Sequence, residues 1–115
     1  MQEQNGKVLI VNGDIDVRNE LRKSLSSNFT VETSLTFKDA LKLIRDNSYD
    51  IVIAELDIPE VKGIEVLRKL KESRSETPII VVTTYKSVSV AVEAMKAGAY
   101  DYFTKPFNAV ELNLA

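Results

Sequence analysis

Polar side chains of three chemical kinds stand where the short apolar runs of this chain end. Asp14, Glu55 and Asp57 supply carboxylates after the first and third runs. Thr83 supplies a hydroxyl at the end of the fourth run, and Lys105 supplies an ammonium after the fifth. If these groups converge in the fold, they form a candidate site for a polar ligand.

The composition excludes several classes of protein. The chain has 115 residues, 44% of them hydrophobic, and a net charge of −2, which suits one soluble domain, residues 1–115. It has no histidine and no cysteine, so His- or Cys-based catalysis, zinc fingers and disulfides are excluded. The sequence has no stripe of basic residues, so it does not predict nucleic-acid binding. No apolar run approaches the roughly 18 residues of a membrane span, and the first residues do not resemble a signal peptide. We therefore expect a cytoplasmic protein.

Five short runs have the character of β-strands. Four of them are largely apolar and do not alternate, which is typical of strands buried on both faces of a parallel sheet. The fifth alternates, as an edge strand would. The four apolar runs are Val8–Val11, Ile51–Ala54, Ile79–Val82 and Ala99–Phe103, and the alternating run is Phe29–Thr33.

Amphipathic patterns with helical spacing separate these runs. One of them, Val88, Ala91, Val92 and Met95, is expected to lie in the core. Thr36 and Asn108 each predict a helix N-cap, and Gly98 predicts a helix C-terminus. The resulting order of five βα units predicts an α/β fold of the flavodoxin-like (βα)5 type: a doubly wound five-stranded parallel sheet with strand order 2-1-3-4-5.

The same fold predicts where the site lies. In an open α/β sheet, ligands bind beyond the carboxyl ends of the strands, near the point where the strand order reverses. The carboxylates, the hydroxyl of Thr83 and the ammonium of Lys105 all follow such ends. The last helix has barely begun at Ala115, so we expect that the chain is truncated within it.

Several motifs in one order carry a family resemblance across essentially the whole chain. They are Val8–Asp14, the loop from Pro59 to Gly63, the strand Pro78–Thr84, and Ala97–Phe107 with its Lys105-Pro106 pair. This order resembles the receiver domain of response regulators in two-component phosphorelay signalling. A histidine kinase donates a phosphoryl group to an aspartate of such a receiver, which itself is not classed as an enzyme.

The resemblance implies a role for individual residues. Glu55 stands at the phospho-acceptor position, where the family has aspartate, and Asn12 and Gly13 stand at the acidic pair that binds Mg²⁺. Thr83 matches the switch hydroxyl, and Lys105 matches the lysine that contacts the acceptor and its phosphate.

Other readings of the same residues remain open. Tyr102 matches the switch aromatic of the family, but it could equally be a core residue. Thr83 could be a plain strand-end hydroxyl. Asp14 could be a favourable charge at a helix N-terminus, and Asp57 could be a loop carboxylate. Lys105 could be an ordinary surface lysine.

Three substituted acidic positions predict an atypical receiver, or pseudo-receiver. Asn12 offers one neutral carbonyl and Gly13 has no side chain, so we expect no metal site, no cofactor and at most weak Mg²⁺ binding. The alternative is a competent receiver that accepts phosphate at Glu55 or Asp57. Glu55 itself has two open readings: a carboxylate that mimics the phosphoryl group, or a solvated or simply paired side chain.

The resemblance also implies partners. These are an output domain in the same polypeptide or in a partner protein, and a second copy bound through helix 4, strand 5 and helix 5. The predicted docking residues are Lys86, Val90, Glu93, Ala94 and Asp101. The segment from Ala91 to Phe107 most resembles receivers of enhancer-binding activators of the sigma-54 type, which regulate transcription. A flavin- or nucleotide-binding protein is a third reading, which the acidic loop after the first strand disfavours.

Overall fold

The computed structural model describes residues 6–11, 15–26, 29–34, 36–56, 58, 60–61, 63–74, 76–83 and 87–104. Within them, five parallel strands form one sheet in the order β2-β1-β3-β4-β5, which confirms the predicted topology. The strands are β1 (Lys7–Val11), β2 (Thr30–Ser34), β3 (Ile51–Ala54), β4 (Ile79–Thr83) and β5 (Asp101–Thr104). The helices are α1 (Ile15–Leu25), α2 (Phe37–Asp46), α3 (Ile64–Ser73) and α4 (Val88–Lys96).

A hydrophobic cluster covers each face of the sheet. The larger one joins alternate residues of the central strands, such as Leu9 and Val52, to buried side chains of α2, α3 and α4. The other joins the intervening residues, such as Ile10 and Ile53, to α1. Because both faces are covered, the central strands read as unbroken apolar runs in the sequence.

The end of α4 explains why β5 begins later than predicted. Gly98 has a φ of 106°, a left-handed conformation that glycine adopts without strain. Its N–H donates to the carbonyl of Met95, and the N–H of Ala99 donates to that of Ala94 at 3.0 Å. These bonds hold Ala99 against the helix, so β5 starts at Asp101 instead of Ala99. At the other edge of the sheet, β2 starts at Thr30, one residue after the predicted Phe29.

The prediction for the buried face of α4 is wrong. Val88, Val92 and Met95 are 79%, 45% and 47% exposed, whereas Ala94 is completely buried. Val90 and Ala97 are half-buried and pack against the larger cluster. The small side chains of this face let α4 approach α3 and the sheet closely, which turns its larger apolar residues outward.

This orientation also corrects the predicted docking surface. Ala94 is completely buried and cannot contact a partner as predicted, Val90 is half-buried, and Glu93 and Asp101 are exposed. Lys86, the fifth helix and its predicted cap at Asn108 lie outside the described residues. Thr36 is confirmed as the N-cap of α2, because its hydroxyl accepts a hydrogen bond from the N–H of Asp39. No described helix has both the length and the apolar character needed to cross a membrane.

A small polar cluster attaches the edge strand β2 to the rest of the sheet. The hydroxyl of the buried Tyr49 donates to Oε1 of Glu32 at 2.5 Å, and Nζ of Lys7 lies 3.3 Å from Oε2 of Glu32. The Tyr49 hydrogen bond, with help from Lys7, lowers the pKa of Glu32 below its ordinary value of 4.5. Burial, together with the bond to Glu32, raises the pKa of Tyr49 above its ordinary value of 10.0.

We expect Tyr49→Phe to lower the free energy of unfolding by about 1 kcal/mol at neutral pH, since Glu32 loses its buried donor. A lowered folded-state pKa stabilises the fold above pH 4.5, and this contribution is lost as the pH falls through the folded-state value. The difference between wild type and variant should therefore shrink below pH 4.5. Urea unfolding across this range measures it, with Tyr100→Phe, at an exposed tyrosine, as the control. Equal losses in both variants, or a loss that does not depend on pH, would contradict this account.

Candidate functional site

The register of the sheet determines where Glu55 lies. Val11 of β1 is level with Ala54 of β3, and Ala54 is level with Val81 of β4. Glu55 is the next residue, and its N–H donates to the carbonyl of Val11 at 3.0 Å. Glu55 therefore leaves the sheet at the carboxyl end of its central strand, beside the end of β1.

Glu55 is buried: only 4% of it is accessible to solvent. This excludes the reading of Glu55 as a solvated carboxylate. The loop that follows is anchored by Leu56 and Ile58, which are buried in the larger cluster. The N–H of Gly63 donates to the carbonyl of Leu56 at 3.0 Å and closes the loop before α3. The carboxylate is thus carried by a segment that is fixed on both sides.

Thr83 and Tyr102 occupy the neighbouring strands. Tyr102 is level with Val81, and Thr83 is two residues further along β4. Because side chains alternate along a strand, Thr83 and Tyr102 project on the same side of the sheet as Val81. Thr83 is completely buried, and the half-buried Tyr102 packs against the larger cluster. The fold therefore brings Glu55, Thr83 and Tyr102 to the same end of three adjacent strands.

The other predicted site residues lie outside the described residues. They are Asn12, Gly13, Asp14, Asp57 and Lys105. Their assignments by resemblance stay predictions.

The sequence predicts at most weak Mg²⁺ binding at this edge, and this prediction depends on Asn12 and Gly13, which lie outside the described residues. Mg²⁺ requires oxygen ligands in near-octahedral order, usually with carboxylates among them. Glu55 supplies a carboxylate here, while the acidic-pair positions hold the neutral Asn12 and the side-chain-free Gly13. Among the described residues, no three acidic, histidine or cysteine side chains are grouped so that they could hold a metal ion.

Sequence reasoning missed Glu60, which lies in the same loop as Glu55. Its Oε2 accepts a hydrogen bond at 3.1 Å from the N–H of Phe37, the first residue of α2. The partners are 23 residues apart in the chain, and no local motif relates them. Only the packing of the loop against α2 identifies this contact.

A second candidate surface is the exposed side of α4. Val88, Ala91, Val92 and Met95, with the stem of Lys96, line an open groove of about 470 Å³. We call these five residues the α4 groove. The stripe that was predicted to be core is therefore an apolar surface, and large exposed apolar surfaces often mark interaction sites.

Residues 8–115 match the family model described as the response regulator receiver domain. Among curated proteins, the chain is 36% identical over 109 residues to the regulatory protein AtoC of Escherichia coli (strain K12), covering 94% of this chain and 24% of AtoC. It is 41% identical over 107 residues to the response regulator MprA of Mycobacterium sp. (strain KMS), covering 92% of this chain and 46% of MprA. The chain thus spans less than half of either relative.

Solved structures have the same fold. The receiver domain of the Francisella response regulator 1452 aligns with a TM-score of 0.86 at 31% identity, covering 94% of this chain and 90% of that one. NtrX from Brucella abortus, solved in complex with ADP, aligns with a TM-score of 0.84 at 26% identity. That alignment covers 93% of this chain and 25% of NtrX.

Proposed function

This chain belongs to the response-regulator receiver family, and from this we propose that it is an atypical receiver that controls an output domain by docking and dimerisation, without aspartyl phosphorylation. It acts as a cytoplasmic signalling module and not as an enzyme. The observation that carries the proposal is the buried glutamate at the acceptor position, Glu55.

The chemistry of the site supports this proposal. Phosphoryl transfer depends on positioning and on neutralising the charge that spreads over the phosphoryl oxygens. Asn12 and Gly13 supply no negative charge to hold the metal that would provide this neutralisation. Glu55 also carries its carboxylate one methylene further from the backbone than aspartate does. Without a bound metal and with a displaced nucleophile, the transition state loses its main stabilisation.

We expect no phosphoryl adduct when the purified domain is incubated with acetyl phosphate and Mg²⁺ and its intact mass is measured. A receiver with an aspartate acceptor and a complete acidic pair serves as the positive control. An adduct on the wild-type chain would overturn the proposal. Its loss in Glu55→Ala or in Asp57→Ala would then identify the acceptor and favour the phosphorylation-competent alternative.

A second proposal concerns the charge of Glu55. A carboxylate that is 4% exposed, at the same end of the sheet as the buried hydroxyl of Thr83, has the position needed for a permanent negative charge in a switch site. The longer side chain places this charge closer to where a phosphoryl group would lie. In this proposal Glu55 keeps the domain in an active-like state, and the conformation of the Tyr102 side chain depends on that state.

Glu55→Asp tests the permanent charge, because it retracts the carboxylate by one methylene and keeps its sign. We expect the aromatic NMR signals of Tyr102 to shift and self-association to weaken about tenfold, which corresponds to about 1.4 kcal/mol. Glu65→Asp, at an exposed glutamate of α3, is the matched control. If Tyr102 and the association constant stay unchanged, Glu55 is only a paired structural carboxylate.

The α4 groove supports a modest homodimer. Val88, Val92 and Met95 are exposed in a single chain, and covering them with a second copy would remove them from water. Glu93 and Asp101 provide exposed charges near this surface, as expected for the polar rim of an interface. This surface differs from the predicted one, in which the buried Ala94 was a contact residue.

We expect Val92→Glu to weaken self-association at least about tenfold, because the dimer would have to bury an unpaired charge. Sedimentation equilibrium measures the association constant. Ser24→Glu adds the same charge at an exposed position of α1 and should leave the constant unchanged. A dimer that persists in Val92→Glu would place the interface elsewhere.

The lengths of the relatives support the proposal that this chain is part of a larger protein. Because this chain matches 24% of AtoC and 46% of MprA, we propose that it regulates an output domain in the same polypeptide or in a partner protein. The segment from Ala91 to Phe107 resembles receivers of enhancer-binding activators of the sigma-54 type, and we propose that this chain belongs to such an activator. A histidine kinase is then a docking partner at most.

A further inference from the structure

The loop that carries the acceptor position is attached to α2 through the side chain of Glu60. This carboxylate accepts the N–H of Phe37 in a partly buried position. The first N–H groups of a helix have no acceptor within the helix itself. A negative charge at this end of α2 is also favoured by the helix dipole. The contact is therefore a specific link between two elements that are distant in the chain.

The helix does not need Glu60 to begin. Thr36 already caps α2: its hydroxyl accepts the N–H of Asp39 at 3.1 Å, and its carbonyl accepts the N–H of Ala40 at 3.1 Å. The hydroxyl of Ser34, at the end of β2, donates to the same carbonyl at 2.8 Å. Since these contacts define the helix start, what Glu60 adds is a connection to the loop of Glu55.

The described residues between Glu55 and Glu60 are held in a way that lets displacement at Glu55 reach Glu60. Glu55 is held to Val11 through its backbone, and Leu56 and Ile58 are buried in the same cluster as Phe37. Closely packed groups of this kind move together or repack and do not deform gradually. A change in the side chain at position 55 would therefore displace Leu56 and Ile58 together.

We propose that Glu60 is a positioning residue that transmits the state of position 55 to the N-terminus of α2. This inference rests on the proposed function, in which Glu55 sets the state of the domain. The surface that responds is the groove of about 460 Å³ between β2 and α2. It is lined by Thr33, Ser34, Asp39, Lys42, Leu43, Asp46 and Asn47.

The link itself is tested by amide hydrogen exchange and ¹⁵N chemical shifts of residues 37–40. In Glu60→Ala the Phe37 amide should exchange about fivefold faster, the factor expected for the loss of one typical cap. Glu60→Gln keeps an acceptor oxygen and should stay close to wild type. Glu65→Ala, in the first turn of α3, is the matched control and should leave α2 unchanged. Unchanged Phe37 exchange in Glu60→Ala would overturn the proposal.

Transmission is tested by combining Glu60→Ala with Glu55→Asp. Glu55→Asp alone should shift the α2 amides, and this shift should disappear in the double variant. If Glu60 has only a structural role, Glu55→Asp should shift the α2 amide signals equally with Glu60 and with Ala at position 60, or should shift them in neither case. Either result would overturn transmission. The acetyl phosphate assay is independent: a phosphoryl adduct would refute the proposed function, whereas an exchange result at Phe37 would refute only the role of Glu60.

Discussion

The central strand pair β1–β3 is the constraint on which the rest of this structure depends. Both strands are hydrogen-bonded on each side and buried on both faces, so their register cannot slip without exposing apolar residues or losing backbone hydrogen bonds. That register holds Glu55 beside the end of Val11. The neighbouring strands then bring Thr83 and Tyr102 to the same end of the sheet.

A glutamate in this place changes what the scaffold can do. The fold places a carboxyl group at the carboxyl end of the central strand, and this group belongs to the chain and does not depend on a phosphoryl donor. Glu55 is buried, and water screens charges less inside a protein than at its surface. In the proposed function, the same scaffold holds a fixed state where other receivers alternate between two.

Helices α2 and α4 show how well the spacing of apolar residues predicts which face of a helix is buried. In α2 the spacing of Phe37, Ala40, Leu41 and Ile44 predicts one apolar face, and the helix buries all of these residues except Leu41, which is half-buried. In α4 the stripe through Val88 and Met95 had the same spacing, yet the helix buries Ala94. Periodicity shows that a helix has two faces. The size of the side chains on each face decides which one packs against the neighbouring elements, and in α4 this is the face of Ala94.

The sequence by itself determined the five strands and their parallel order, and its motifs predicted Glu55 at the acceptor position. It could do so because continuous apolar runs and ordered motifs are local properties of the chain. Only the tertiary structure decided that Glu55 is buried, that Glu60 reaches Phe37, that Tyr49 bonds to Glu32, and that the apolar stripe of α4 faces outward. Each of these depends on groups that are remote in sequence and meet only when the helices have packed on the sheet.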